Sequence, residues 1–267
     1  MTNDATPDSV FDTLRAAIES ERPIALATIV EGPGLGAKLL VDGQGDARGT
    51  LGNAELDRVV VRDVIGELAA GTSGIRHYGP NGEARADDVM VFVETFAPPP
   101  QMLIFGAVDF TAALSRVAKV LGYRVTVCDA RPVFATTQRF PHADEVVVDW
   151  PHRLLEKVGA ELGPRDAICV LTHDPKFDVP AVIAALDTAV GYLGAMGSRR
   201  TTEDRNARLR AEGVGHEQLQ RIMAPIGLDL GARTPEETAI SICAEIIALR
   251  AGRVAPSLRD GTGDIHA

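Results

Sequence analysis

Beyond the proline run Pro98-Pro99-Pro100, the chain alternates short, mostly apolar stretches with longer stretches of helical period. The apolar stretches are 102–105, 124–128, 146–148, 168–171 and 190–193. Helical spacing marks 111–121, through Leu114, Val117 and Leu121, and also the segments around 153–162 and 179–188. A strand facing water on one side alternates polar and apolar residues, whereas a strand covered on both faces is apolar throughout. Covered strands that alternate with helices imply a parallel sheet with helices on both sides. The expectation is an α/β protein with a Rossmann-like, doubly wound parallel sheet over 98–252. The prolines lack backbone donors and hold an extended spacer. They set the predicted domain boundary after residue 97. The tail 253–267, rich in Pro, Ser, Gly and Asp, is expected to be disordered.

The first domain, 1–97, reads differently. A helix is expected over 8–19, with Val10, Phe11, Leu14 and Ile18 on one face. Strands are expected at 24–30 and 38–41 around a glycine-rich turn, with Asp42-Gly43 as a hairpin signal. A helix over 54–69 and a strand over 88–96 complete an α+β domain with a partly antiparallel sheet. In the second domain the last helix is sharply marked. Thr234 is its N-cap, Pro235 its first helical residue and Glu237 the carboxylate of a capping box, and Gly252 ends it.

Composition removes several classes of function. The formal net charge is −10 and charged residues make up 24% of the chain, so the basic footprint of a nucleic-acid binder is missing. No apolar run reaches the roughly 18 residues of a membrane span. The acidic start, MTNDATPDSV, lacks the order of a signal peptide. A cytoplasmic location is expected. Cys128, Cys169 and Cys243 each sit in an apolar run, where cysteine packs as a small hydrophobe. They form no CxxC pair and give neither a disulfide framework nor a zinc site. Iron–sulfur clusters take about four thiolates each, so the three cysteines of this chain cannot carry two of them.

Four places could carry chemistry. The turn after the first strand of the second domain contains Gly106, Ala107, Val108 and Asp109. A dinucleotide fingerprint would have a glycine where Val108 stands, and an acidic residue near the position of Asp129. Such a turn holds a ligand or simply links strand to helix, and Val108 disfavours tight NAD(P) binding. Thr172, His173 and Asp174 follow another strand, on the side where open α/β sheets bind ligands. They contact a polar ligand, or Asp174 and Asp178 make turn and N-cap bonds. Gly197, Ser198, Arg199 and Arg200 open a charged helix, an arrangement suited to phosphate. The alternative there is a solvated basic helix start. In the glycine-rich loop 225–234, Arg233 reaches an anion or pairs with Asp229. His77, His142, His152, His216 and His266 are read as surface or satisfied groups, and Trp150 as a packing residue at a strand end.

At these motifs the sequence resembles the XdhC/CoxI family, accessory proteins of xanthine dehydrogenase and carbon monoxide dehydrogenase maturation. The resemblance lies in PPPQMLIFGA, GYRVTVCDARPVFATTQRFPHADEVVVDWP, VLTHDPKFDVPA, GYLGAMGSRRT and APIGLDLGARTPEETAISICAEIIA. It implies a protein without turnover chemistry of its own. Such a protein binds molybdenum cofactor, as molybdopterin or its dinucleotide form, and shields it. It also supports sulfuration by a cysteine desulfurase and delivery to an apo-molybdoenzyme. The resemblance further implies a homodimer. The cofactor would be held by Gly106, Ala107, Val108, Asp109, Asp129, Thr172, His173, Asp174, Gly197, Ser198, Arg199 and Arg200, with no metal site. The family often has GGGCxE in the first domain. Here the stretch is Gly52-Asn53-Ala54-Glu55, with Glu55 in the place of that cysteine. Two rival readings are an NAD(P)-dependent oxidoreductase and a non-catalytic scaffold for the molybdoenzyme.

Overall fold

The computed structural model describes residues 9–84 and 86–260. The chain divides into two compact units, 1–98 and 99–267.

The first unit is an antiparallel sheet in the order β3-β2-β1-β5-β4. Its strands are β1 (Ile24–Glu31), β2 (Lys38–Asp42), β3 (Ala47–Thr50), β4 (Gly74–Tyr78) and β5 (Val89–Phe96). Strand β1 is the centre, and its alternation serves both faces. Ala25, Ala27 and Ile29 pack with Leu56, Val60, Val64 and Leu68 of helix α2 (Ala54–Ala70). Ile24 packs with Ala17 of helix α1 (Val10–Glu19) on the other face. Ser9 caps α1 by accepting from the Asp12 N–H. The hairpin at Asp42 forms as expected, with the Asp42 carboxylate accepting from the Gln44 and Asp46 N–H groups at 2.9 Å. Strands β3 and β4 carry no sequence signal, because β3 is exposed along its whole length and β4 along most of it.

The second unit is a parallel sheet in the order β11-β10-β9-β6-β7-β8. The strands are β6 (Gln101–Phe105), β7 (Arg124–Cys128), β8 (Glu145–Val147), β9 (Ala167–Val170), β10 (Tyr192–Ala195) and β11 (Ile222–Met223). Helices α3 (Asp109–Val120) and α8 (Pro235–Arg250) cover one face. The other is covered by α4 (Pro151–Val158), α5 (Pro175–Leu186), α6 (Arg199–Ala211) and α7 (His216–Gln220). Strand β6 shows why its residues after Gln101 are all apolar. Met102 and Ile104 enter the core under α3 and α8, while Leu103 and Phe105 enter the opposite core. Cys169 enters the first of these cores and Ile168 and Val170 the second.

The strand expected at 190–193 lies instead at Tyr192–Ala195, fixed by its pairing of Tyr192 with Ala167. The short elements α7 and β11 are absent from the sequence reading. The capping box of α8 forms, with the Thr234 hydroxyl and Glu237 carboxylate each accepting from the other's backbone N–H. Residues 253–260 are exposed and contain a 3-10 turn, Leu258–Asp260. The rest of the tail and His266 lie outside the described residues. All three cysteines are buried and free.

Candidate functional site

The chain winds from β6 through β7 to β8 in one direction, then crosses back to β9 and proceeds the other way. Ligands of open α/β sheets bind at the carboxyl ends of the strands beside such a reversal. The turns after β6 and β9 therefore flank the expected crevice. They are in close contact. Gly106 has φ +112°, and a Cβ there would lie 2.6 Å from the Thr172 methyl and 3.0 Å from the Thr172 nitrogen.

The β6–α3 turn is bound up within the protein. The Ala107 N–H donates to the Asp129 carboxylate at 2.8 Å, and the buried Thr111 hydroxyl donates to the Gly106 carbonyl. Arg139 donates to the Ala107 carbonyl at 3.1 Å. Asp129 also accepts from the Arg131 N–H, Nε and Nη2 at 2.7–2.9 Å. Burial acts to raise the Asp129 carboxyl, but the bonds from Arg131 and Ala107 outweigh it and hold it below the usual carboxylate range. Val108 precedes the helix with no side-chain cap, and Asp109 places a carboxylate in the first turn, 3.6 Å from Arg139.

The β9–α5 turn divides its polar groups. Asp174 caps α5, accepting from the Lys176 N–H at 3.0 Å, and His173 is exposed. Thr172 is buried, and its hydroxyl donates to Asp178. Asp178 is therefore no cap; it faces Arg205 of α6 at 3.4 Å, and both side chains are almost wholly buried. Burial raises the Asp178 carboxyl to about 6, against the pull of Arg205. Arg205 Nη2 also donates to the Met196 carbonyl, and its buried Nη1 and the Thr202 hydroxyl have no partner.

The β10–α6 turn is open. Gly197 takes φ +148°. Ser198 caps α6, accepting from the Thr201 N–H at 3.1 Å, and the first turn has no acidic residue. Arg199 and Arg200 are exposed, with no ion pair among the described residues. Helix N-termini attract anions, and this one adds two guanidinium groups. The twelve predicted residues thus share one sheet edge, but Ala107, Asp129 and Thr172 turn their polar groups inward. Reasoning from sequence missed Arg131, Arg139 and Arg205 and read Asp178 as a turn or cap residue, whereas all four hold the turns.

In the first unit Asn53 caps α2, accepting from the Glu55 N–H at 2.9 Å, and Glu55 pairs with Arg58 at 2.9 Å. Of the other histidines, His152 departs from expectation, because its Nδ1 is buried without a partner. Trp150 stacks on Phe177. Among the described residues no three His, Cys, Asp or Glu side chains form a metal cluster, and no helix is long and apolar enough to cross a membrane. Clefts of about 460 Å³, between α4 and α5, and about 260 Å³, between α3 and residues 138–142, lie on helix faces.

Residues 102–246 match the model of the XdhC Rossmann domain, and residues 17–79 match the XdhC and CoxI family. The chain is 32% identical over 160 residues to a probable xanthine dehydrogenase subunit of Bacillus subtilis, covering 60% of this chain and 46% of that one. It is 27% identical over 155 residues to the molybdenum cofactor insertion chaperone PaoD of Escherichia coli, covering 58% and 42%. YqeB of Escherichia coli is 27% identical over 259 residues, 91% of this chain and 46% of that one. The chain thus spans about half the length of these relatives. A crystal structure named as a xanthine dehydrogenase from Bacillus halodurans superposes with a TM-score of 0.55 at 22% identity, covering 92% of this chain and 97% of that one, which shows a shared fold. With the XdhC Rossmann domain matched over more than half its length, the chain belongs to the XdhC and CoxI family.

Proposed function

We propose that this protein serves molybdoenzyme maturation by holding molybdenum cofactor at the carboxyl edge of the parallel sheet and passing it to an apo-enzyme. The observation that carries the reading is the β10–α6 turn. Its capped helix N-terminus and the unpaired Arg199 and Arg200 suit the phosphate of molybdopterin or the pyrophosphate of its dinucleotide form. Family membership and the likeness to a molybdenum cofactor insertion chaperone support it.

Sulfuration needs a thiol from elsewhere. Burial raises Cys128 to about 12, Cys243 to about 11 and Cys169 well above its ordinary value, and thiolate is the form that ligates metal or carries sulfur. Glu55 offers a hard carboxylate instead of a soft ligand. The cysteine desulfurase would therefore supply sulfur directly to the bound cofactor, and the chain would act, as a homodimer, by holding it.

The strand order also favours a dinucleotide-dependent oxidoreductase. Against it stand Val108, the Asp109 carboxylate where a pyrophosphate would lie, and Asp129, whose oxygens already accept four donors. The test is anaerobic equilibrium binding of freshly released molybdenum cofactor, with NADPH titrated in parallel. Arg199→Ala with Arg200→Ala is expected to weaken cofactor binding by about tenfold or more, since each charged hydrogen bond contributes about 1.5–3 kcal/mol. Unchanged affinity sinks the anchor, and binding of NADPH alone moves the protein to the oxidoreductase class.

A further inference from the structure

The loops after β7 and β8 and the first turn of α5 carry a stack of planar side chains that the anion anchor does not use. The Arg131 guanidinium lies 4.6 Å from the centroid of the Phe134 ring and 5.9 Å from that of Phe177. Phe177 stacks on Trp150, with centroids 4.7 Å apart and planes inclined by 28°. The guanidinium is fixed, since Asp129 accepts from its Nε at 2.9 Å and its Nη2 at 2.7 Å. A second guanidinium, Arg139, lies 5.7 Å from the Phe134 centroid.

Inside a core, such a stack would be packing alone. Here one end stands in water. Phe134 is 40% exposed, and the adjoining Val133 is 73% exposed. The chain is only 4% aromatic, so three rings joined by a clamped guanidinium concentrate much of its stacking capacity at one sheet edge. Guanidinium and aromatic faces both stack on planar heterocycles, and they do so whatever the ring's substituents.

We propose that the Phe134–Arg131–Phe177–Trp150 stack receives a planar heterocycle, either the pterin of the cofactor or the base of its dinucleotide form. The identity of the ligand rests on the function proposed above; the ring-binding surface does not. Strands β7 and β10 are three places apart in the sheet, roughly 14 Å at the usual spacing. An elongated ligand would thus put its ring on the stack and its phosphate at α6. This also gives Asp129 a purpose beyond the turn, as the group that holds Arg131 flat.

Trp150 is the chain's one tryptophan and belongs to the stack, so its emission reports on it. The full chain is titrated with 6-carboxypterin, with GMP and CMP, and with inorganic phosphate as a control. A saturable change in Trp150 emission is expected with the pterin or with a nucleotide, and whichever responds identifies the ring. Phe134→Leu keeps apolar bulk and Arg131→Lys keeps a charge for Asp129. Each is expected to weaken ring binding by about tenfold, in line with one stacking contact. Arg199→Ala with Arg200→Ala should leave the phosphate-free pterin unaffected. No saturable change with any ring, an equal response to inorganic phosphate, or full affinity in both stack variants overturns the proposal. Intact cofactor binding that ignores the stack variants would sink this inference and keep the anchor. Stack-dependent pterin binding without cofactor binding would do the reverse.

Discussion

Two turns at one sheet edge, both running from a strand through a glycine into a helix, are built in opposite ways. In the β6–α3 turn, Ala107 donates to Asp129, Gly106 accepts from Thr111, and the helix opens with the acidic Asp109. In the β10–α6 turn, Ser198 caps the helix, no acid stands in the first turn, and Arg199 and Arg200 face solvent. The fold offers both as anion sites, since both set a helix N-terminus at the carboxyl edge. Side chains close the first and open the second. A dinucleotide-binding fold therefore does not by itself say where, or whether, it binds a dinucleotide.

The open turn is held from below, and breaking that support should give the largest effect. Arg205 reaches the Met196 carbonyl, just before Gly197, and is nearly fully buried with Asp178 as its counter-charge. Asp178→Ala would remove the oxygens that the Thr172 hydroxyl and Arg205 Nη2 face, and each buried donor left without an acceptor costs about 1–3 kcal/mol. Asp178→Asn keeps an oxygen for the Thr172 hydroxyl and should be far milder. Urea unfolding followed by Trp150 emission checks both. A loss in Asp178→Ala no larger than in Asp178→Asn would show that the Asp178 oxygens do not support the turn.

That support is not legible in the sequence, whereas the sheet is. Residues 102–105 of β6 and 167–170 of β9 are all apolar because each strand feeds two cores, and a run of four such residues shows this directly. Asp178 lies four residues after Asp174 at a helix start, where an acidic residue reads as a cap or a dipole partner. Its true partner, Arg205, sits in a helix rich in charge, and nothing local marks the one arginine that turns inward. Asp129 lies just past the end of β7, where its spacing from Gly106 puts it. Its neighbour Arg131 takes up the carboxylate that sequence reasoning leaves free for a ligand. Strand β3 is exposed throughout and is fixed by its pairing with β2 rather than by any apolar pattern.

The glycines sharpen the contrast between the turns. A Cβ at Gly106 meets the Thr172 nitrogen at 3.0 Å as well as its methyl at 2.6 Å, and φ is +112°. At Gly197, with φ +148°, the nearest atoms are in the Thr201 side chain at 3.1 Å. Gly106→Ala should cost roughly 2–3 kcal/mol, from overpacking and strain together. Gly197→Ala should cost about 1 kcal/mol, mostly strain. Ligand binding should reverse the order, with Gly197→Ala weakening the phosphate-bearing cofactor more. If Gly106→Ala proves the more damaging to binding, the ligand sits at the β6–α3 turn.

A further effect follows from the same buried pair through pH. Burial lifts the Asp178 carboxyl from its ordinary 3.8 to about 6 in the folded chain. Below pH 4 it is protonated whether the chain is folded or not. Between pH 4 and 6 the folded chain holds the proton and the unfolded chain has lost it, so protonation favours folding in that window. This contribution is fully present below about pH 4 and is lost as pH rises through about 6. Asp178→Asn lacks the titration, so wild type should gain on it by on the order of 1–2 kcal/mol between pH 7 and pH 4.5. Unfolding midpoints of both chains at the two pH values test this. A difference that stays constant, or that grows in the variant's favour on acidification, would mean that Arg205 holds Asp178 ionised and that the open turn rests on a charged pair throughout.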